Sequence, residues 1–178
     1  MSIPNYLTLF RIILTPIFFT ILVSYTPEKE QLRFISLAIF ALAAVTDALD
    51  GLLARFLRQR TALGQMLDPL ADKILLLSGY IGLLFVQTLP FRPPLWITVT
   101  IVFRDIILLV GFFALHFMSV KMEVLPNWWG KLTTVSQMLL LFCILIEWPL
   151  AVPLAYATAF FTIVSGLIYV SCGLKFIQ

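Results

Sequence analysis

The chain has little with which to bind a soft metal or build a disulfide framework: two cysteines and a single histidine in 178 residues. Cys143 and Cys172 stand in separate apolar runs without metal-ligand spacing, so they read as small buried hydrophobes. His116 is isolated near the end of an apolar run and reads as a polar helix end rather than a ligand. Charge is scarce as well. Only 12% of residues are charged and 61% are hydrophobic, whereas soluble domains carry about 25% charged residues. With a mean hydropathy of +1.04, an ordinary soluble domain is excluded and an integral membrane protein in contact with membrane lipids is expected. The net charge of +3 is not a nucleic-acid signal, and no nucleic-acid partner is expected. The first apolar run has no basic start and no small-residue cleavage site closing it, and Asn5 and Arg11 interrupt it. It reads as a retained helix, not a signal peptide.

Six apolar segments remain, each long enough to span a bilayer at about 20 residues. They fall near 6–26, 32–57, 63–89, 94–118, 128–147 and 151–175. Pro27, Arg58 to Thr61, Pro90 to Pro94, Lys121 to Pro126 and Trp148-Pro149 separate them. The expected fold class is therefore an all-α integral membrane bundle of six transmembrane helices forming one domain over residues 1–178. If the helices alternate, Arg11, Arg55, Arg58, Arg60, Lys121, Lys131 and Lys175 share one side. Only Lys29, Arg33 and Arg92 fall on the other. The excess of Lys and Arg in cytoplasmic segments then places both termini in the cytoplasm. Trp96, Trp128, Trp129 and Trp148 lie near segment ends, as interface anchors or as ordinary packing aromatics.

Within this apolar frame stand four aspartates in one spaced pattern: Asp47-x2-Asp50-Gly51-x2-Ala54-Arg55-x8-Gly64-x3-Asp68-x3-Asp72. A carboxylate at a helix centre costs about 2.5–3.5 kcal/mol on the insertion scale, and four would cost roughly 10–14 kcal/mol if deep and unpaired. At about 100° per residue, Asp47 and Asp50 share one helix face, and Gly64, Asp68 and Asp72 form a second stripe. A hairpin of the two helices can aim all four acids at one point, while Gly51, Ala54 and Gly64 admit a close neighbour or a bulky ligand. Converging carboxylates need a positive partner. Hard divalent ions prefer oxygen ligands and associate with phosphates, and a pair of them clamps a transferring phosphoryl group. An ion path lined by the acids and a purely structural salt-bridge network are the competing readings. The second finds too few partners in Arg55 and Lys73. The first lacks continuity, because 34–40 and 75–81 are nearly dry. Asp72, last in its stripe, is the candidate general base. Pro69 would kink the third segment and re-aim Asp68, or be tolerated near the helix start.

This pattern resembles the signature of the CDP-alcohol phosphatidyltransferases at all eight fixed positions. The resemblance implies a six-helix homodimer that transfers a phosphatidyl group from CDP-diacylglycerol to an alcohol and releases CMP. It implies two Mg²⁺ or Mn²⁺ ions on Asp47, Asp50, Asp68 and Asp72, with Asp72 also deprotonating the acceptor. Gly51, Ala54, Arg55 and Gly64 would shape the CDP site. The opening Ile3-Pro4-Asn5 to Arg11, the run Asp68 to Lys73 and the run Gly130 to Gln137 are similar to the phosphatidylglycerophosphate synthase branch. That branch implies sn-glycerol 3-phosphate as acceptor and a bacterial inner membrane with the site facing the cytoplasm. Asn5 and Thr8 would join the CDP site, and Arg11 the acceptor phosphate.

Arg104 and Lys131 are cations within or beside apolar segments and invite an anionic partner such as a phosphate monoester. Arg104 has an alternative partner in Asp105, and Lys131 is alternatively an interfacial lysine whose stem is buried and whose head reaches water. Lys73, beside Asp72, reads equally as tuning the site or balancing helix charge. The pair Arg104-Asp105 departs from the Arg-Glu of that branch and is more similar to cardiolipin synthases of the CDP-alcohol type, whose acceptor is phosphatidylglycerol. Ser78-Gly79-x-x-Gly82 offers a close-packing patch, toward a second chain or toward a helix of the same one.

Overall fold

The computed structural model describes residues 3–57, 62–117 and 128–174, with side chains at 6–47, 49, 67, 70–114, 128–169 and 171. The hinge Arg58 to Thr61, Lys121 and Lys175 lie outside the described residues, as do the side chains of His116 and Cys172. Six α-helices follow one another: α1 Ile3–Val23, α2 Glu30–Leu57, α3 Ala62–Phe85, α4 Leu95–Phe117, α5 Trp128–Ile146 and α6 Ala151–Leu174. The protein is all-α and membrane-embedded. Among the described residues, four helices are long and apolar enough to cross a bilayer, over Tyr6–Val23, Leu95–Ala114, Trp128–Ile146 and Ala151–Tyr169. The other two, α2 and α3, are those that carry the aspartates.

The helix limits follow local chemistry. α1 starts at Ile3, three residues before the expected position, because Pro4 in a first turn removes only an N–H that has no helical partner. It ends through Ser24 and Tyr25, whose N–H groups donate to Thr20 and Leu22, and a single 3-10 turn at Pro27–Lys29 leads into α2. α3 stops at Phe85 rather than near 89; the pre-proline restriction acts only on Leu89, and residues 86–88 already lie beyond the helix. α3 passes through position 69 as continuous helix. α5 ends in a Schellman closure: the Trp148 N–H donates to the Cys143 carbonyl at 2.9 Å, with Glu147 in the left-handed region at φ 61°. Glycine is the usual occupant of that position.

The chain divides into two compact units, Met1–Arg92 with Leu145–Glu147, and Pro93–Ile144 with Trp148–Gln178. In the first unit α1 packs against both α2 and α3. Its inward stripe is Thr8, Arg11, Thr15, Phe18 and Leu22, all buried and spaced three and four apart as one helix face requires. The α3 glycine Gly82 marks a close approach to α1. A Cβ there would lie 2.8 Å from Leu22 Cδ2 and 3.5 Å from a Phe19 ring carbon, so this part of the small-residue patch faces α1 of the same chain. At the far end of α2, buried Arg33 pairs with Glu30 at 2.8 Å and with Glu147 at 2.6 Å. The Glu147 carboxylate thus gains a partner that a glycine could not supply.

In the second unit α4 packs against α6. α5 is tied to α6 by hydroxyls: Thr133 donates to the Phe161 carbonyl and Thr158 to the Ser136 carbonyl, at 3.0 and 3.3 Å. Such small hydroxyl residues satisfy their own helix and a neighbour in a medium that offers no water. Trp96, Trp128, Trp129 and Trp148 are all exposed near helix ends. Trp96 and Trp129 also reach Tyr156 and Phe161, with ring centroids 6.5 and 6.4 Å apart.

Candidate metal and phosphate site

The length of α2 explains how acids can stand on an otherwise apolar helix. At 1.5 Å per residue its 28 residues extend about 42 Å, beyond the roughly 30 Å hydrocarbon layer. Asp47 lies about 26 Å from the start of α2 on that rise, so Asp47 to Arg55 occupy its outer third. The α3 acids fall within the first half of their helix by the same reckoning. Both groups therefore gather at the connected ends of α2 and α3.

Ser36, Phe40 and Ala43 are buried on α2, and Asp47 continues their spacing of four, three and four. This is the register that meets α1. There the Arg11 guanidinium forms an ion pair with the Asp47 carboxylate at 2.5 Å, the arginine side chain 1% exposed and the aspartate 36%. On α3, half-buried Asp72 continues the buried stripe of Leu76, Gly79 and Leu83. Thr8, one turn before Arg11, is fully buried. The structure thus places Thr8, Arg11, Asp47 and Asp72 on helices packed together through α1. The side chains of Asn5, Asp50, Gly51, Ala54, Arg55, Gly64, Asp68 and Pro69 lie outside the described residues, although all eight positions are helical. Among the described residues no group of three or more metal-ligating side chains occurs, and two of the four aspartates fall outside that set.

The donor set fits a hard divalent cation. The sequences of α2 and α3 hold aspartates but no cysteine or histidine, which is the ligand chemistry of magnesium or manganese rather than of zinc or copper. The 36% exposure of the Asp47 side chain leaves part of that carboxylate open to an incoming ion.

Of the three cations assigned to an acceptor phosphate, Arg11 lies in the first unit and Arg104 and Lys131 in the second. Arg104 is 5% exposed; Nη1 contacts Asp105 Oδ1 at 2.8 Å and Nη2 donates to Ser165 Oγ at 2.6 Å. Of the two partners expected for Arg104, the neighbouring carboxylate is present in the structure. Gly130 lies beside the guanidinium, where a Cβ would stand 3.5 Å from Arg104 Nη2, an ordinary van der Waals contact. Arg104 also lines an apolar cavity of about 380 Å³ with Thr100, Phe103, Ile107, Thr162 and Tyr169. Lys131 is exposed, its ammonium 5.4 Å from the centroid of Trp128, the arrangement of an interfacial lysine.

Two relations escaped the sequence. One is Ser165 as a partner of Arg104. Its signal is the run Thr158, Thr162 and Ser165 on one face of α6, but hydroxyls at that spacing serve equally to bond their own helix. The other is Arg11 as a partner of Asp47; Arg55 and Lys73 are nearer the aspartates in sequence, and Arg11 stands on a different helix.

Comparison with known proteins adds the following. The family model described as CDP-alcohol phosphatidyltransferase matches residues 1–164. A "Probable phosphatidylglycerophosphate synthase" of Mycobacterium tuberculosis (strain CDC 1551 / Oshkosh) is 35% identical over 180 residues, covering 98% of this chain and 82% of the relative. A "CDP-diacylglycerol--glycerol-3-phosphate 3-phosphatidyltransferase" of Shigella flexneri serotype 5b (strain 8401) is 35% identical, covering 97% of this chain and 94% of the relative. The protein of that name from Escherichia coli (strain K12) is 37% identical over 143 residues, covering 79% of this chain and 74% of the relative.

Proposed function

The chain belongs to the CDP-alcohol phosphatidyltransferase family, and from that premise we propose that it joins CDP-diacylglycerol to sn-glycerol 3-phosphate, giving phosphatidylglycerophosphate and CMP. It is an integral membrane enzyme of phospholipid biosynthesis. The observation that carries the finer reading is the complete spaced aspartate motif on α2 and α3, the helices that α1 holds. The acceptor is supported by relatives whose names specify glycerol 3-phosphate or phosphatidylglycerophosphate. An ion path has no comparable support.

Asp47, Asp50, Asp68 and Asp72 would hold two divalent ions, Mg²⁺ or Mn²⁺, which supply positive charge against the diphosphate and the developing negative charge of its transfer. Asp72 takes the proton from the acceptor hydroxyl. The freed oxygen bonds to the phosphorus that carries diacylglycerol, the pyrophosphate bond breaks, and CMP departs with the bridging oxygen. Gly51, Ala54 and Gly64 give the nucleotide access to the backbone, and Arg55, Asn5 and Thr8 bind it. Arg104 and Lys131 receive the acceptor phosphate, since Arg11 is engaged with Asp47. Six spans with both termini in the cytoplasm, in a bacterial inner membrane, put the aspartate ends of α2 and α3 beside their water-soluble substrate. The working form is a homodimer.

Cardiolipin synthesis is the second reading, favoured by Asp105 following Arg104. Purified protein in nanodiscs with CDP-diacylglycerol and Mn²⁺ separates the two when offered radiolabelled glycerol 3-phosphate and, separately, phosphatidylglycerol. The expected product is labelled phosphatidylglycerophosphate with equimolar CMP, lost by at least a hundredfold in Asp72→Asn. CMP release with phosphatidylglycerol alone, accompanied by cardiolipin and with no labelled product from glycerol 3-phosphate, would replace the acceptor. Folded protein that releases no CMP with either acceptor would remove the activity itself.

A further inference from the structure

Arg11 sits on the buried face of α1, nine residues into the helix by its bounds, and its side chain is 1% exposed. An arginine cannot escape burial by losing its proton, because the guanidinium stays charged in proteins. It must therefore keep an anionic partner, and a buried charge left without one is costly. One partner in the structure is Asp47, which is also the first residue of the metal motif. One carboxylate is thus claimed by two positive charges: one fixed in α1, the other arriving from solution.

We propose that Arg11 is the built-in counter-ion of Asp47, and that it makes divalent-ion binding depend on the anionic nucleotide substrate. This rests on the reading that the motif aspartates hold metal. With no ion bound, Arg11 neutralises Asp47 and stabilises an acid cluster that would otherwise repel itself. A divalent ion drawing on Asp47 weakens that pair and sets its own charge near a guanidinium that cannot leave its helix. The diphosphate of a CDP-linked donor reverses the balance, because its negative charges compensate both cations at once. Arg11 therefore holds metal loading low until the nucleotide is present. It acts as a positioning residue for Asp47, and the acceptor phosphate falls to other cations. The asymmetry in burial supports this division: the arginine side chain is enclosed, whereas the Asp47 side chain is 36% exposed and can add a second partner without leaving the first.

The test measures Mn²⁺ binding by electron paramagnetic resonance on detergent-purified full-length protein, with and without CDP, alongside thermal unfolding. Wild type should bind Mn²⁺ weakly alone and at least about tenfold more tightly with saturating CDP, a coupling near 1.4 kcal/mol. Arg11→Met removes the charge and keeps apolar bulk. It should tighten Mn²⁺ binding without CDP by about tenfold, the size of one lost charge–charge opposition, and shrink the CDP effect. Its metal-free melting temperature should fall, and added Mn²⁺ should recover more of it than in wild type. If Arg11→Met does not fold, Arg11→Lys decides. A shorter, more strongly hydrated ammonium pairs less closely, so affinity without CDP should rise by about threefold, a fraction of the full effect. Unchanged or weaker Mn²⁺ binding in the folded variants, with wild type binding normally, overturns the role of Arg11 and leaves the metal reading standing. If wild type binds no Mn²⁺, with or without CDP, and Asp47→Asn and Asp72→Asn change nothing, the metal reading falls and this inference with it.

Discussion

Ser165 carries more than its size suggests. It is fully buried on α6 and accepts a hydrogen bond from Arg104 Nη2 at 2.6 Å. Arg104 Nη1 is already spent on Asp105, so the two terminal nitrogens are fixed by different helices. Removing the hydroxyl leaves a buried charged donor with less than its due, a change worth about 1–3 kcal/mol. Ser165→Ala should lower thermal stability in detergent accordingly, and Ser165→Thr should restore most of it. If Arg104 binds the acceptor phosphate, the same alanine variant should raise KM for glycerol 3-phosphate several-fold while KM for CDP-diacylglycerol stays put. Loss of stability with no KM change would make Arg104 purely structural. The aspartate motif was legible from sequence because it is local, with spacings of three and four that a helix turns into faces. The Arg11–Asp47 and Arg104–Ser165 pairs were not, because each joins two different helices. Periodicity says which face is buried, not which residue of another helix it meets.

At the scale of the helix, steric fit governs. α1 lies against both α2 and α3, and Gly82 lets α3 come close enough that an added Cβ would stand 2.8 Å from the buried Leu22 side chain. An alanine there asks Leu22 to shift at its flexible end, and gains about 1 kcal/mol of helix propensity over glycine. The two effects offset one another, so Gly82→Ala should change stability little. Gly82→Leu cannot be absorbed in that way. It should destabilise by about 1–3 kcal/mol through overpacking, read as a lowered melting temperature, with CMP release falling because α1 also carries Arg11 and Thr8. The helix limits themselves were largely readable, since Pro27, Pro90 and Pro149 interrupt the runs chemically. Sequence left the partner of the Gly82 patch open; it is Leu22 and Phe19 of α1. A small residue announces a close approach without naming who approaches.

For the whole molecule, the question is which side of the bilayer each connection faces. On the proposed activity, the ends of α2 and α3 that bear the acids must meet water, because CMP, the divalent ions and glycerol 3-phosphate are water-soluble. On the proposed topology, the basic residues flanking that connection, Arg55, Arg58 and Arg60, would put it on the cytoplasmic side by the charge rule. The two partners of Arg33, Glu30 and Glu147, then mark the opposite side, where α2 begins. This arrangement has a direct test. Replacing Cys143 and Cys172 by serine leaves no native thiol; single cysteines are then introduced as Arg60→Cys or Arg92→Cys. A membrane-impermeant maleimide should label the first only in inside-out vesicles and the second only in right-side-out ones. Both variants should retain CMP release, showing that labelling reports the folded enzyme. Label reaching position 60 from the outer face would turn the whole assembly over. The aspartates would then face a compartment without CDP-lipid's soluble co-substrate, and the glycerol 3-phosphate reading could not survive that result.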